Sequence, residues 1–375
     1  MLTNDIKEYA LSIGYTGVGI TSADGFPEYV EEVASRGDKY DIFGLTTFNP
    51  VLGARPKDFM PEAKSIIVLV LDYFQQDFPD ELKKMIGKIY LARCYMPHPG
   101  LLAHSRAQLM KDFLSGRGCR VNADIGIPAR WAAAQAGVTT FGKNNFAYAK
   151  GSGSYIVIST IVVDAELDYD RPTMDSKCPA DCQACLKACP TGAIYEPYKL
   201  NPFKCIGFNH WITQEGRGAI SPYIDPELRE GLGCKIHGCD ICQDVCPRNQ
   251  KKLKAPKPVD RYIERLGADY TLPAFLNLTD EFFARRVRPV MYNYIKDKRY
   301  FMRNAAVALG NTRNPEYAGE LAAAMLNPDE LIREHAAWAL GRIGGTAAKA
   351  ALEKAAVREE SSRVRPTIDQ ALARL

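Results

Sequence analysis

The sequence predicts an α+β protein in three parts: an N-terminal domain around one mixed sheet, a small cysteine-rich module, and a C-terminal domain of helical repeats. Three observations predict this division. Strand-like and helix-like segments alternate over residues 1–165, nine of the 11 cysteines lie between residues 178 and 246, and an alanine-rich pattern recurs near the C-terminus. We expect domain boundaries that give residues 1–170, 171–255 and 256–375.

The composition is that of an ordinary globular protein. Of the 375 residues, 46% are hydrophobic and 25% charged, which excludes a fully disordered or fibrous chain. The net charge of +4 is too small to indicate a polyanionic partner by itself. The longest strongly apolar run, 66–71, is far shorter than a bilayer span, and the N-terminus lacks the basic and apolar segments of a signal peptide. We therefore expect a cytoplasmic protein that does not cross a membrane.

In the N-terminal domain, β-branched apolar runs predict buried strands, and apolar residues at near-helical spacing predict helices. A helix over 128–136 is further indicated by Pro128 at its start and Gly137 at its end. The expected elements are, in chain order, helix 4–13, strand 15–21, strand 65–74, helix 101–116, helix 128–136 and strand 155–163. Their alternation predicts the α+β domain.

The C-terminal part contains an internal repeat. The sequence AAVALG at 305–310 returns as AAWALG at 336–341, a period of 31 residues. Helical pairs of about this length stack into solenoids of the HEAT kind. Two copies plus a last helix over 347–375 are too few for a long array, so we expect a cap or a partner-binding module.

The cysteines form two runs that each end in Cys-Pro. The first is Cys178-x3-Cys182-x2-Cys185-x3-Cys189-Pro190, and the second is Cys239-x2-Cys242-x3-Cys246-Pro247. Clustered thiols in a reducing compartment usually bind metal. The bacterial ferredoxin run is C-x2-C-x2-C-x3-C-P, in which three thiolates hold one [4Fe–4S] cube and the fourth ligates the other. Both runs approach this pattern, and we expect two cubes; structural zinc and unligated core cysteines are the alternatives.

The remaining cysteines are assigned by elimination. The second run lacks a first cysteine, so its fourth ligand must lie elsewhere; Cys205 is preferred and Cys234 is the competitor. Cys94 and Cys119 lie outside the pattern and are expected to be buried small hydrophobic side chains. Two cubes form an electron path that needs a terminal acceptor, yet the sequence has no G-x-G-x-x-G, P-loop or C-x-x-C-H motif.

Several motifs together resemble a known enzyme family. AGVTTFGKN at 136–144 is similar to the AG-x4-GKN segment of epoxyqueuosine reductases, and CPTGAI at 189–194, Cys205-Ile206 and HGCDICQDVCPRN at 237–249 also resemble that family. The resemblance covers roughly residues 1–345. These enzymes share their core with corrinoid reductive dehalogenases. The resemblance therefore implies a base-off cobalamin between the N-terminal domain and the clusters, as the missing acceptor.

The resemblance also implies site residues. One cube would be held by Cys178, Cys182, Cys185 and Cys246, and the other by Cys189, Cys205, Cys239 and Cys242, which leaves Cys234 free. The proton donor would be Asp124, in the step Asp124-Ile125-Gly126; the alternative reading of Asp124 is a charge at the N-terminus of the next helix. Gly142, Lys143, Asn144 and Asp124 would bind cobalamin, with Lys143 and Asn144 donating to corrin amides; the alternative for Lys143 and Asn144 is a plain turn after the helix. His210 and Trp211 are expected to shield a cluster.

The implied chemistry is reductive. A low-potential cube can deliver single electrons to cobalt, and loss of an epoxide oxygen as water requires two electrons and two protons. A carboxylic acid in a poorly solvated pocket would supply the protons. None of the five histidines lies in a D-x-H-x-x-G corrinoid signature, which fits a cobalt without a protein histidine ligand and equally fits no cobalamin.

A tRNA substrate would require basic surface and aromatic side chains that stack on unpaired anticodon-loop bases. The aromatic candidates are Tyr292, Tyr294, Tyr300 and Phe301. The basic candidates are Lys251, Lys252, Lys254, Lys257, Arg285, Arg286, Arg288, Lys296, Lys298, Arg299 and Arg303. The alternative is a solvated helical face with core aromatics.

The pattern departs from the family on what we take to be the substrate side. Gly207–Trp211 replaces a serine-tyrosine step, the segment 221–233 is longer, and the residues before the 101–116 helix differ. Three functions follow: a cobalamin-dependent reductase of epoxyqueuosine in tRNA, a related corrinoid reductase of a small molecule such as an organohalide, and an electron-transfer protein without cobalamin. We expect a monomer supplied by an external low-potential electron donor.

Overall fold

The structure is a computed structural model that describes residues 2–40, 49–94, 101–174, 177–211, 221–291 and 297–375. The chain folds as two compact units, each assembled from three stretches. Unit 1 comprises Met1–Gln76, Ala92–Phe203 and Ile241–Pro258, and unit 2 comprises Asp77–Leu91, Lys204–Asp240 and Val259–Leu375. The three-domain division at 170/171 and 255/256 remains a prediction.

The strands among the described residues all belong to unit 1. They are β1 Gly17–Ser22, β2 Ser65–Asp72, β3 Val121–Asn122, β4 Thr139–Phe141, β5 Ala147–Ala149, β6 Ile156–Val163, β7 Ile194–Glu196 and β8 Lys199–Leu200. Strands β1, β2, β6 and β3 form a four-stranded sheet in the order β1-β2-β6-β3, while β4–β5 and β7–β8 are two-stranded hairpins. The strands predicted over 15–21, 65–74 and 155–163 are thus confirmed as β1, β2 and β6.

The expectation of a mixed sheet is wrong for the described strands. Gly17 pairs with Val70 and Ser22 with Ser65, and β2 and β3 both pair with β6 in the antiparallel sense. Helices between strands favour parallel pairing only when each helix returns the chain to the same edge of the sheet. Here the long connection between β1 and β2 reverses the chain direction.

The helices of unit 1 include the three that the sequence predicts. Those three are Leu2–Ser12, Leu102–Ser115 and Ala129–Gln135. The others are Pro27–Ala34, Pro50–Gly53, Ala184–Ala188, Ile241–Asp244 and Gln250–Lys254.

The core of unit 1 depends on small residues. Ala132, Ala133 and Ala136 of the 129–137 segment pack with Ile66 and Val162 of the sheet. A Cβ on Gly19 of β1 would lie 2.2 Å from the carbonyl oxygen of Ala136. Because real Cβ atoms do not approach so closely, only glycine allows the helix to lie this near to the sheet. This contact fixes the start of the segment that leads into the candidate site.

The helices of unit 2 include the repeats. They are Asp80–Met85, Lys88–Leu91, Ile206–Trp211, Pro226–Arg229, Arg261–Leu266, Leu272–Leu276, Asp280–Phe282, Arg299–Thr312, Ala318–Ala324, Glu330–Ile343, Gly345–Arg358 and Arg365–Leu372. The two alanine-rich copies lie at equivalent places on helices 299–312 and 330–343, as the 31-residue period predicts. The single last helix expected over 347–375 is instead two helices, because the chain turns between Arg358 and Arg365.

The prediction of exposed stacking aromatics near residue 300 is wrong. Tyr300 and Phe301 are buried, at 2% and 1% exposure. Arg303, proposed for an RNA-binding surface, is fully buried and donates to the backbone oxygens of Asn209 and Pro222. Helix 299–312 turns this face into the core of the repeats, where carbonyl acceptors satisfy the guanidinium. Tyr292, Tyr294 and Lys296 lie outside the described residues.

The long segment 221–233 packs on the repeats of unit 2. Arg229 is buried, donates from Nε to the carbonyl oxygen of Ile224, and forms a two-pronged ion pair with Glu334 at 2.8 and 2.9 Å. Loss of either partner would leave a buried charge uncompensated. Across the described ranges, no helix combines the length and apolar character needed to span a bilayer.

Candidate redox site

The first cysteine run and Cys246 meet within unit 1. Cys185 lies on helix Ala184–Ala188, which packs against helix Ile241–Asp244, and Cys246 follows that second helix. Burial raises the pKa of the Cys185 thiol, and the charges of Cys246 and Cys178 raise it further. Thiols within electrostatic reach of one another become stable thiolates when they share a cationic cluster. Cys178, Cys185 and Cys246 are thus within electrostatic reach of one another, although the described residues contain no group of three or more His, Cys, Asp or Glu side chains already placed to hold a metal ion.

Lys143 braces the loop of the first run. Its side chain is buried, and Nζ donates to the carbonyl oxygens of Pro179 at 2.7 Å, Ala180 at 2.7 Å and Cys182 at 3.0 Å. An ammonium has three donors, and all three are used here. The predicted hydrogen bond from Lys143 to a corrin amide stays a prediction, and it would have to replace one of these bonds.

Asn144 also faces the cysteine loops. Its Nδ2 donates to the Tyr148 hydroxyl at 2.9 Å and to the carbonyl oxygen of Cys242 at 3.1 Å, while Oδ1 accepts from the amide of Phe146 at 3.2 Å. A Cβ on Gly142 would lie 2.4 Å from the Tyr148 ring. Gly142, Lys143 and Asn144 therefore form one turn between β4 and β5, which holds Tyr148 and two cysteine loops.

Two residues that the sequence analysis missed, Tyr148 and Arg248, contact the cysteines. The Tyr148 hydroxyl donates to Cys246 Sγ at 3.1 Å. The Arg248 guanidinium lies 3.9 Å from the centre of the Tyr148 ring, donates to the carbonyl oxygen of Phe141, and lies 3.9 Å from Cys178 Sγ. The only sequence signal was the place of each residue, in the strand after GKN and directly after Cys246-Pro247.

A cavity of about 760 Å³ lies on the other side of the β4–β5 turn. Aromatic rings form much of its wall: Tyr29, Tyr40, Trp131, Phe141 and Tyr198. Its polar lining includes Glu32, Arg36, Arg130, Asn145 and Lys199. The volume lies in the ~300–1,000 Å³ range of small-molecule and cofactor sites.

One residue of the cavity wall, Trp131, has an unsatisfied donor. Trp131 Nε1 is buried and has no hydrogen-bond partner among the described residues. A buried indole N–H without an acceptor costs about 1–3 kcal/mol. Phe141 and Asn145 line this cavity, whereas Lys143 and Asn144 between them contact the cysteine loops. One turn thus separates the cavity from the first cysteine set, by which we mean Cys178, Cys182, Cys185 and Cys246.

Asp124 lies a few residues before two residues of the cavity wall. It is exposed, and its amide donates to Asn122 Oδ1 at 3.0 Å. Ile127 and Pro128, a few residues farther on, line the cavity. The helix that follows, Ala129–Gln135, has no acidic residue in its first turn and no side-chain cap at Pro128, and the alternative reading of Asp124 as a charge near the helix N-terminus stays a prediction. Its role as proton donor stays a prediction.

Unit 2 contains Cys205, Cys234 and Cys239, whereas Cys189 and Cys242 belong to unit 1. A Cβ on Gly207 would lie 4.0 Å from Cys205 Sγ and 3.9 Å from the amide nitrogen of Cys239, so these two cysteine segments lie side by side. Cys234 Sγ instead faces the carbonyl oxygen of Ala308 at 3.9 Å. This placement supports Cys205 over Cys234 as a partner of Cys239, and the ligand choice stays a prediction.

The neighbours of these cysteines are buried and tightly held. The Lys88 amide donates to Asp240 Oδ2 at 2.7 Å, and Lys88 Nζ lies 3.4 Å from the same oxygen. Burial lowers the pKa of His210 well below 6.5, so His210 is a neutral side chain one helical turn after Cys205. Trp211 packs on Phe208, with ring centres 5.9 Å apart.

The two cysteines outside the pattern are buried, as predicted. Cys94 and Cys119 are 8% and 7% exposed. Burial raises the pKa of Cys94 to about 12. A thiol that remains protonated is a poor metal ligand and a poor nucleophile.

Comparisons with known proteins agree with this architecture. A model of the 4Fe-4S double cluster binding domain matches residues 177–249, and a model of HEAT repeats matches residues 289–373. The chain is 28% identical to an epoxyqueuosine reductase of Bacillus subtilis, over 99% of this chain and 95% of that protein. It therefore carries two iron–sulfur clusters in its cysteine module.

Solved structures show the same likeness over the full length. One is an epoxyqueuosine reductase with an epoxyqueuosine-modified tRNA-Tyr stem loop, at TM-score 0.84 and 27% identity, covering 100% of this chain and 98% of that one. Another is the Bacillus subtilis enzyme with its catalytic aspartate loop swung out of the active site, at TM-score 0.83 and 27% identity, covering 100% of this chain and 99% of that one. The double-cluster module, the repeats and this end-to-end similarity indicate an oxidoreductase that is similar to epoxyqueuosine reductases over its full length.

Proposed function

We propose that this chain reduces epoxyqueuosine to queuosine in tRNA, with two [4Fe–4S] clusters and a base-off cobalamin. One observation carries the proposal: the aromatic cavity and the first cysteine set lie on opposite sides of a single turn, Gly142–Asn144, in a chain that resembles epoxyqueuosine reductases from end to end. The solved relative that was captured with a modified tRNA stem loop supports tRNA as the substrate.

The cavity fits a large cofactor with apolar faces and polar edges. Its aromatic rings offer flat contact surfaces. The side chains of Asn145 and Arg130 provide polar contacts at the edge. We assign the cobalamin to this cavity. When bound, cobalamin supplies metal-centred reducing chemistry that can open an epoxide.

The chain's own residues would hold the clusters that deliver electrons and would supply protons. The proposed ligands of one cube are Cys178, Cys182, Cys185 and Cys246, and those of the other are Cys189, Cys205, Cys239 and Cys242. The cubes pass single electrons, and two are required for each oxygen lost as water. Asp124 is the proposed source of a proton, which requires its loop to move so that the carboxyl group faces the cavity. The relative with its catalytic aspartate loop swung out shows that such a loop can occupy an outward position.

The test is conversion of the modified base. Anaerobically purified protein, reconstituted with iron, sulfide and cobalamin and reduced chemically, is incubated with an epoxyqueuosine-containing tRNA stem loop. We expect the product nucleoside to lose the mass of one oxygen atom. A Cys178→Ser variant, which lacks one proposed cluster ligand, should be inactive. Conversion of an aryl halide with no conversion of the stem loop would assign the chain to the small-molecule alternative instead.

A further inference from the structure

Tyr148 is the feature of the site that the proposed function leaves without a role. It is 4% exposed and lies on β5, at the end of the hairpin that separates the cavity from the first cysteine set. Its hydroxyl oxygen is 3.1 Å from Cys246 Sγ. A tyrosine hydroxyl has one proton to donate, so the direction of that proton decides what the residue does.

The neighbours of Tyr148 fix the direction of its proton. Asn144 Oδ1 accepts from the amide of Phe146, which sets the amide orientation and leaves Nδ2 to donate to the Tyr148 oxygen at 2.9 Å. Because the oxygen accepts from Asn144, its own proton is free to point at Cys246 Sγ.

The ring of Tyr148 is held in place as firmly as its hydroxyl. Arg248 covers one face at 3.9 Å, and Arg248 is itself bound to Phe141 and Thr140 of β4. A side chain at Gly142 would displace the ring, since a Cβ there would lie 2.4 Å from it. The donor is therefore preorganised, and a hydrogen bond of this kind is retained when the sulfur gains negative charge.

We propose that Tyr148 is a positioning residue that donates a hydrogen bond to the Cys246 thiolate and thereby raises the reduction potential of the first [4Fe–4S] cube. Reduction adds one electron to the cube, and part of that charge resides on the cysteine sulfurs. A donor to such a sulfur stabilises the reduced form more than the oxidised form. The inference rests on the proposed ligand set, in which Cys246 holds the first cube.

The direct test is a redox titration of Tyr148→Phe, followed by electron paramagnetic resonance of the reduced clusters. The substitution removes the donor and keeps the ring on which Arg248 packs. We expect one of the two cluster potentials to fall, so that at a fixed applied potential the ratio of reduced to oxidised first cube drops by about threefold or more, where tenfold corresponds to 59 mV for one electron. The second cluster potential should not change.

Tyr155→Phe is the matched control. Tyr155 is also buried and in the same unit, but its hydroxyl donates to Asp244 Oδ1 at 2.6 Å rather than to a cysteine. Its variant should keep both potentials. Unchanged potentials in Tyr148→Phe, or an equal fall in both variants, would overturn the proposal.

A second measurement covers the case in which Tyr148→Phe assembles poorly. Electron–nuclear double resonance is recorded in D2O on wild-type protein in which the first cube is reduced. We expect a coupling from an exchangeable deuteron that is absent from the fully loaded fraction of the Tyr148→Phe variant. Identical couplings in the two proteins would refute the hydrogen bond. The iron content of the Cys246→Ser variant tests separately whether Cys246 is a cluster ligand. Loss of about four irons per chain would support the proposed ligand set. None of these readouts needs tRNA, so a failure of the proposed substrate would leave the result interpretable.

Discussion

The proposed role of Asp124 depends on a movement of its loop. The carboxylate is exposed, although two of its near neighbours in sequence, Ile127 and Pro128, line the cavity. In the proposed mechanism, a movement of this loop would carry the carboxyl group from solvent to the cavity. An Asp-x-Gly step supplies flexibility for such a movement, since Gly126 follows two residues later.

We predict that Asp124→Asn lowers turnover of epoxyqueuosine tRNA by about 10²–10⁴-fold, the usual contribution of a positioned proton donor. Cobalamin content and cluster content should stay at wild-type levels, because the residue contributes no ligand to either. Asp112→Asn, at an exposed aspartate of helix Leu102–Ser115, is the control and should keep full activity. Wild-type turnover of Asp124→Asn at normal cobalamin occupancy would remove the role.

The buried His335 side chain should make the stability of the fold depend on pH. Burial lowers its pKa well below 6.5, and its ring bonds as a neutral group, with Nδ1 2.8 Å from the Leu331 oxygen and Nε2 3.3 Å from the Ile224 amide. Below pH 6.5 the unfolded chain gains a proton that the folded chain refuses, so stability falls as pH falls, by up to about 1.4 kcal/mol per pH unit. The loss is absent above pH 6.5.

Denaturant unfolding at pH 7 and pH 5.5 measures this effect. His335→Gln should be less stable than wild type at pH 7 and should lose less stability on acidification. His104→Gln, at a histidine outside the buried core, is the control and should lose as much as wild type. Equal acid losses in wild type and His335→Gln would contradict the assignment.

At the scale of elements, close helix approach explains the repeated glycine of the C-terminal domain. A Cβ on Gly310 would lie 2.8 Å from Ala339 Cα, and a Cβ on Gly341 would lie 2.7 Å from Ala371 Cβ. The pattern AAxALG therefore marks the same packing position in both copies. Its period of 31 residues made the repeats predictable, because each copy solves the same local packing problem.

We predict that Gly310→Ala destabilises the protein by about 1–2 kcal/mol. Alanine improves helix propensity by up to ~1 kcal/mol, but overpacking against helix Glu330–Ile343 costs about 1–3 kcal/mol. Gly319→Ala is the control, since a Cβ there meets nothing within 4 Å and should leave stability unchanged or slightly raised. The midpoints of denaturant unfolding measure both. A Gly310→Ala variant as stable as Gly319→Ala would show that the helices separate easily.

Some elements were predictable from the sequence and others were not. The β-branched runs predicted β1, β2 and β6 because a buried strand requires a local run of apolar residues. The direction of strand pairing was not predictable, since it depends on how a long connection returns the chain. The bond between Tyr148 and Cys246 spans 98 positions and leaves no periodic signal. Tyr300 and Phe301 were wrongly predicted to be exposed because the charged residues near them in sequence indicated a surface. One of these charged residues, Arg303, is instead buried and donates to backbone oxygens.

At the scale of the whole molecule, the basic surface proposed for tRNA is smaller than the sequence suggested. Lys252 pairs with Asp72, Lys298 with Asp280 and Arg299 with Asp297 and Asp329. Exposed cations remain in both units: Lys251, Lys254, Arg285, Arg286 and Arg288. Arg285 and Arg286 have acidic neighbours, but exposed pairs of this kind are weak and can be exchanged for phosphate contacts.

We predict that the double variant Lys251→Gln, Lys254→Gln binds the tRNA stem loop more weakly and with a shallower salt dependence. Each lost phosphate contact should reduce the slope of log affinity against log salt by about one. Lys84→Gln, at an exposed lysine paired with Glu81, is the control and should not change the slope. Binding titrations over a range of salt measure both, and an unchanged slope in the double variant would exclude this surface.

The account depends on two iron–sulfur cubes that serve a cobalamin in the cavity of unit 1. The most direct measurement is the metal and corrinoid content of protein purified and reconstituted without oxygen. We predict about eight irons per chain from two cubes, together with one corrinoid whose absorbance is that of the base-off form, and loss of the corrinoid alone when Trp131 is replaced by alanine. Protein that carries zinc in place of iron, or eight irons and no bound corrinoid, would contradict the account.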